Sequence, residues 1–456
     1  MLFELKNLTT PSWYTLSKYS SERTPMQFNN SAQLFERSRQ VLAGGVSSDV
    51  RKAELPHPLF YASGKGSRLW DVDGNEFIDY TLGQGPLLLG HQPETVLAAV
   101  SEQLHRGLIY AAQHQPELEL AELLTQVIPC AERVRFNSTG SEAVITALRV
   151  ARAYRNRTKV VKFEGQWHGW YDSVFVSTGP PLEKSGPAHA PTPVLTSRGQ
   201  VPNAADNLII LPWNDLVLLQ NLFASRGHEI AAVITEPVMC NSGSIMPQPG
   251  FLQGLRDLCT KHETALIFDE VITGFRLALG GAQELFGITP DLATFAKGIA
   301  SGFTLSAVVG KAEFMDLIST GQVAHAGTYN SNPVAIAAGL ATVEYLSKNR
   351  GAVYPHLNKI GEQLRVGIAS RLQSAGIASI VGGIGPVAQV SFTSRTEFQN
   401  YRDWADRDVL GYQQLVAKLV NLGIRTIPRG TWYVSSAHSE ADIDQTLAQF
   451  TVALNS

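Results

Sequence analysis

The sequence predicts an α/β protein: a large domain around a mostly parallel sheet, and a smaller α+β domain assembled from both ends of the chain. Three observations carry this. Between about residues 95 and 335, amphipathic helical patterns alternate with short apolar runs at 160–163, 208–210, 231–234 and 265–268. Runs this brief, set between helices, suit strands buried on both faces of a parallel sheet. Buried helix pieces give similar runs, and periodicity alone does not separate the two. Ahead of this region, residues 68–79 read as strand, Asp73-Gly74 turn, strand. Behind it, a long helical segment after Pro333 leads into a further α+β stretch.

Taken in order, residues 1–30 form a loose N-terminal extension and 31–94 the first part of the small domain. Residues 95–335 form the large domain, and 336–456 complete the small one. A helix over 31–42 presents Leu34, Phe35, Val41 and Leu42 and ends at Gly44-Gly45. Residues 387–392 read as a strand. Ser439-Glu440-Ala441-Asp442 has the form of a capping box, opening a helix with Ile443, Leu447, Phe450 and Leu454 as its apolar stripe.

With 456 residues, the chain is long enough for two or three domains, and 44% hydrophobic against 17% charged residues is ordinary for a well-cored enzyme. A net charge of −3 leaves no electrostatic footprint for nucleic acid or an anionic membrane. No apolar stretch approaches the roughly 20 residues of a membrane span. Residues 1–20 lack the charged-then-apolar order of a secretory leader, so a cytoplasmic location is expected. Cys130, Cys240 and Cys259 have neither metal nor disulfide spacing, and the eleven histidines form no metal motif.

Three segments carry chemistry. Asn137-Ser138-Thr139-Gly140-Ser141-Glu142-Ala143 opens a helix with hydroxyls and a glycine, which suits an anion at the helix's positive end. Taken alone it is also an ordinary helix cap. Asp269, in Phe268-Asp269-Glu270-Val271, ends a buried apolar run, where open α/β sheets bind ligands. A carboxylate there can keep a pyridine nitrogen protonated, although a structural ion pair would look the same. Lys297, in Thr294-Phe295-Ala296-Lys297-Gly298, sits in an apolar stretch with no acidic neighbour. Desolvation makes such a lysine a better nucleophile toward an aldehyde. Most lysines are solvated surface charges; Asp269 upstream of Lys297 supplies the second partner this chemistry needs. Neither a Walker loop nor a dinucleotide glycine triplet is present.

With these motifs in this order, the chain from about Arg39 to Leu454 resembles the class III aminotransferases that depend on pyridoxal 5′-phosphate, of fold type I. It is most similar to the branch holding glutamate-1-semialdehyde 2,1-aminomutase and related amino-acid transaminases. The resemblance implies that Lys297 carries the cofactor as a Schiff base and that Asp269 partners the ring nitrogen. Thr139, Gly140 and Ser141 match the phosphate cup. Trp167, followed by His168 and Gly169, matches the aromatic residue stacked on the ring, although the family more often has tyrosine or phenylalanine there. Val271 packs on the opposite face. Asn241, in the Glu236-Pro237-Val238-Met239-Cys240-Asn241 segment, lies near the ring hydroxyl, and Glu236 and His168 belong to the same cofactor site. Thr328 matches a threonine that reaches the neighbouring subunit's phosphate, which implies a homodimer.

The mutases of this branch carry a glutamate just before an Ala-His pair near the C-terminus. Here Ala437-His438 is preceded by residues 428–434, and by residue count Gly430 stands in the glutamate's place, beside Arg429. A basic residue there suits a substrate carboxylate. Arg51, in a loop resembling the mutase substrate loop, is a second candidate for that carboxylate; a surface arginine is the plainer reading. The expected function is therefore transfer of an amino group from a carboxylate-bearing donor, such as a β-amino or aryl amino acid, to a keto acid. An intramolecular aminomutase, or an aminotransferase acting on carrier-bound acyl chains, are the alternatives.

Overall fold

The computed structural model describes residues 26–456. Most of the expected extension, and all of the stretch read for a secretory leader, lie outside the described residues. Helix Asn29–Val41 starts two residues earlier than the sequence pattern suggests. The carboxylate of Asp73 accepts from the N–H groups of Asn30 and Ser31 at 2.7 and 2.9 Å and so anchors that end.

The strands in chain order are β1 (Tyr61–Lys65), β2 (Arg68–Asp71), β3 (Glu76–Asp79), β4 (Arg133–Asn137), β5 (Lys159–Phe163) and β6 (Leu208–Leu211). There follow β7 (Ile230–Thr235), β8 (Ala265–Asp269), β9 (Leu292–Phe295), β10 (Ser306–Gly310), β11 (Ser379–Ile384), β12 (Val387–Phe392), β13 (Ile424–Arg425) and β14 (Thr431–Tyr433). The central sheet runs β4-β10-β9-β8-β7-β5-β6. It is parallel except for β10, which pairs antiparallel with both β4 and β9. Strands β7 to β10 are buried along their whole length, as expected when helices cover both faces.

Two smaller sheets involve the chain ends. In the first, β1, β2 and β3 form an antiparallel meander, and β13, from far along the chain, adds in parallel to β3. The second is β11-β12-β14. The segment after Pro333 is two helices, Pro333–Lys348 and Arg350–Ser374, broken at Asn349. At Ser439 the capping box closes in both directions on Asp442, starting the helix Glu440–Asn455.

The parallel strands all point one way. Their C-terminal ends therefore bring the segments after β5, β7, β8 and β9 to one edge of the sheet, where open α/β sheets bind ligands.

Candidate active site

A cavity of about 330 Å³ opens at that edge. Thr139, Gly140, Ser141, Trp167, His168, Glu236, Asn241, Asp269, Val271 and Lys297 all line it. The chain thus brings together ten residues drawn from five separate stretches of sequence.

Lys297 follows β9 after the single residue Ala296 and sits in the left-handed region at φ +45°, at the start of the tight turn Lys297–Ala300. A non-glycine residue there is strained, and such strain persists only where the surroundings enforce it. The amine faces the cavity from within the protein. Burial pulls it from an ordinary 10.5 down to about 8, helped by the guanidinium groups of Arg429 and Arg276 and opposed by Asp269 and Glu236.

Asp269 ends β8 with only 4% of its surface exposed. His168 Nδ1 donates to its Oδ2 at 2.7 Å, and the Val271 N–H donates to Oδ1 at 3.1 Å. These donors fix the carboxylate in direction. The Nε2 of the buried His168 has no partner among the described residues.

Glu236 follows β7. It accepts from the Trp167 N–H at 2.8 Å, from Asn241 Nδ2 at 3.0 Å and from the Asn241 N–H at 3.1 Å. Burial pushes its carboxyl above the usual range, opposed by His168 and these donors. Glu236 is therefore a clamp: it ties together Trp167 and Asn241, both of which line the cavity.

The corner expected to take an anion is the start of helix Gly140–Arg155. The Thr139 hydroxyl accepts from the Glu142 N–H at 3.3 Å, and the Glu142 carboxylate accepts from the Thr139 N–H at 2.7 Å. This box serves the ends of the first turn. The N–H groups of Gly140 and Ser141 have no intrahelical acceptor and lie at the cavity wall. A Cβ on Gly140 would stand 3.1 Å from Val271 Cγ2, so the glycine lets this wall close tightly. Trp167 is 41% exposed at the cavity mouth, with its indole edge-on to Phe175 at 5.1 Å.

The remaining candidates are placed differently. Arg429 is half-buried; its Nη2 lies 3.5 Å from Asn241 Oδ1, and it has no carboxylate partner among the described residues. Arg51 is exposed on the turn Asp49–Ala53 and does not line this cavity. Thr328 lines a second cavity of about 730 Å³, together with Tyr110, Arg135 and His325.

Sequence reasoning passed over Pro86, Thr273 and the stretch Gly302 to Leu305, which also line the cavity. It also passed over Arg276. This guanidinium is fully buried, donates through Nε to the Ile272 carbonyl at 3.0 Å, and lies 4.9 Å from the centre of the Tyr433 ring. A signal for it existed: an arginine continuing the apolar run after Asp269. Among the described residues no group of His, Cys, Asp and Glu is arranged to hold a metal. Among the described residues no helix is long and apolar enough to cross a membrane. All three cysteines are free and buried.

Comparison with known proteins gives a consistent picture. The family model described as "Aminotransferase class-III" matches residues 50–454. A glutamate-1-semialdehyde 2,1-aminomutase of Desulforamulus reducens is 40% identical over 425 residues, covering 92% of this chain and 96% of that protein. Among solved structures, an omega-transaminase from Sphaerobacter thermophilus is 33% identical with a TM-score of 0.87, covering 93% of this chain and 97% of the other. A β-phenylalanine aminotransferase from Variovorax paradoxus is 32% identical with a TM-score of 0.81, covering 93% of each.

Proposed function

The chain belongs to the class III aminotransferases, and from that premise we propose that it moves an amino group between two molecules. The donor is a carboxylate-bearing amine, of the β-amino or aryl amino acid class, and the acceptor is a keto acid. The cofactor is pyridoxal 5′-phosphate. When bound, it supplies an electron sink for the carbon that bears the amine.

The residues present fit this group. The free N–H groups at the start of helix Gly140–Arg155 suit its phosphate, beside a glycine whose Cβ would crowd Val271. Asp269, held by His168, suits a protonated ring nitrogen. Trp167 and Val271 line the same cavity and would flank the ring. The Lys297 amine, drawn down to about 8, is a ready nucleophile near neutral pH. The same amine, lining the cavity, would take the proton from the substrate carbon and return it. Arg429, without an acid partner among the described residues, orients the substrate carboxylate.

The single observation that carries transfer between two molecules is the backbone at Gly430. It stands at φ +106°, and a Cβ there would lie 2.3 Å from both Gln389 Nε2 and the Val390 carbonyl oxygen. No glutamate fits at the position where the mutases carry one. A second reading, an intramolecular 2,1-aminomutase, is the one the sequence comparisons back better: proteins of that name from several organisms are 39–41% identical over 91–94% of this chain. Initial rates with and without an added keto acid separate the two. Transfer between molecules requires the second substrate. Conversion of glutamate 1-semialdehyde at full rate with no keto acid present would overturn the proposal in favour of the mutase.

Thr328 lies away from Lys297 within one chain, lining a separate cavity near the exposed side chains of Ile109, Tyr110 and Tyr329. This supports a homodimer in which each Thr328 serves the neighbouring site.

A further inference from the structure

Lys162 is a buried amine outside the chemistry described so far. It lies on β5 with none of its surface exposed, and no carboxylate stands within ion-pair distance among the described residues. Burying an ammonium without a counter-charge is costly, and a core position that needed only volume would carry a methionine or leucine. Its Nζ donates instead to two carbonyls, at 3.2 Å to Gln166 and at 2.5 Å to Val176.

Those two carbonyls mark the neck of a loop. The Gly165 N–H donates to the Ser177 carbonyl at 2.9 Å, closing the segment between them. It is a compact loop of the Ω type, whose ends meet and whose side chains do the work. Three of its residues touch the site. Trp167 lines the cavity and donates its N–H to Glu236. His168 holds Asp269. Gly169 stands so close to the cup that a Cβ on it would lie 2.8 Å from Ser141 Oγ.

We propose that Lys162 is a positioning residue for the cofactor site, fixing the loop 165–177 at its neck and through it the indole, the imidazole behind Asp269 and the wall beside Ser141. Burial pulls the amine down to about 7, against the attraction of Glu236. A neutral amine has two N–H donors, one for each carbonyl, so the site suits it in that form.

The inference rests on the cofactor site and not on transfer between two molecules; a wild-type enzyme that proved to be a mutase would leave it standing. The test is Lys162→Met, which keeps the length and removes the donors. Pyridoxamine phosphate affinity is measured by fluorescence titration, and the circular dichroism induced in bound pyridoxal phosphate is measured in the visible. Both are read well below the unfolding temperature. The expected result is native far-ultraviolet dichroism, affinity weaker by about ten-fold or more, as for other groups that orient a site's ligands, and loss of most of the induced signal. A purely structural role would lower the unfolding temperature and leave both readouts at wild-type values, and that result overturns the proposal. If Lys162→Met does not fold, Lys162→Gln, which retains an N–H₂ donor, is measured in its place. An intermediate loss supports the proposal and wild-type values overturn it.

Discussion

The amine of Lys297 is tuned by what surrounds it, and the sign of that tuning has consequences. Its folded value of about 8 lies below the ordinary 10.5. Between those values an unfolded chain binds more protons than the folded one, so this lysine's contribution to stability rises with pH across that window. The free base dominates above about 8. Capture of pyridoxal phosphate by the apoenzyme is therefore expected to speed up with pH and level off above that point. Stopped-flow absorbance at a series of pH values measures it, and a midpoint at the ordinary lysine value would refute the tuning. Asp269→Asn tests the other half of the pair. The amide preserves shape and keeps a bond to His168, so the fold survives. Loss of the negative charge is expected to cost kcat on the order of 10² or more; near-normal kcat would remove Asp269 from its role. Both residues were legible in the sequence because each sits in a run of unlike character. Arg276 and Lys162 were given no role from it: each stands in an apolar run that reads as core, and only the folded chain shows the carbonyls that hold them, Ile272 for one and Gln166 and Val176 for the other.

At the scale of elements, the sequence was most informative where burial is most complete. The runs at 160–163, 208–210, 231–234 and 265–268 are all strands of the central sheet, because a strand covered on both faces has no polar side to interrupt it. β4 escaped notice because Arg133 and Arg135 alternate with apolar residues on an edge strand. β10 was not read as a strand, and its antiparallel pairing with both neighbours is a matter of topology and not of composition. Gly430 shows an element imposing its own rule. It lies just before β14 at φ +106°, with the Val390 carbonyl oxygen and Gln389 Nε2 filling the space a Cβ would take. Gly430→Ala is expected to lose about 1–3 kcal/mol from the strained backbone, with crowding added to it. Denaturant unfolding monitored by tryptophan fluorescence would measure this. An alanine variant as stable as wild type would mean that the backbone tolerates a side chain at 430, and the argument against a glutamate there would fall with it.

At the scale of the whole molecule, one chain gathers Lys297, Asp269 and the helix start at Gly140 around one cavity and places Thr328 at another. Thr328 lines a cavity of about 730 Å³ with Tyr110 and His325. Around it, Leu108, Ile109, Tyr110, Leu118 and Tyr329 are all exposed. Apolar side chains clustered around a groove are what a second copy of the chain would cover. If each Thr328 completes the partner's phosphate site, the two halves of that site can be damaged on different chains. Lys297→Ala alone is expected to be inactive, without the visible absorbance of the bound cofactor. Thr328→Ala alone is expected to bind pyridoxal phosphate more weakly through loss of a hydrogen bond to a charged group, about 1.5–3 kcal/mol. In a mixed dimer of the two variants, one site carries both defects. The other keeps its own Lys297 and receives an intact Thr328 from the Lys297→Ala chain. Unfolding and co-refolding the variants together should therefore generate sites of wild-type affinity, detectable at cofactor concentrations too low to load Thr328→Ala. A mixture that behaves only as the sum of its parts would place Thr328 in its own subunit's structure and separate the homodimer from the catalytic site.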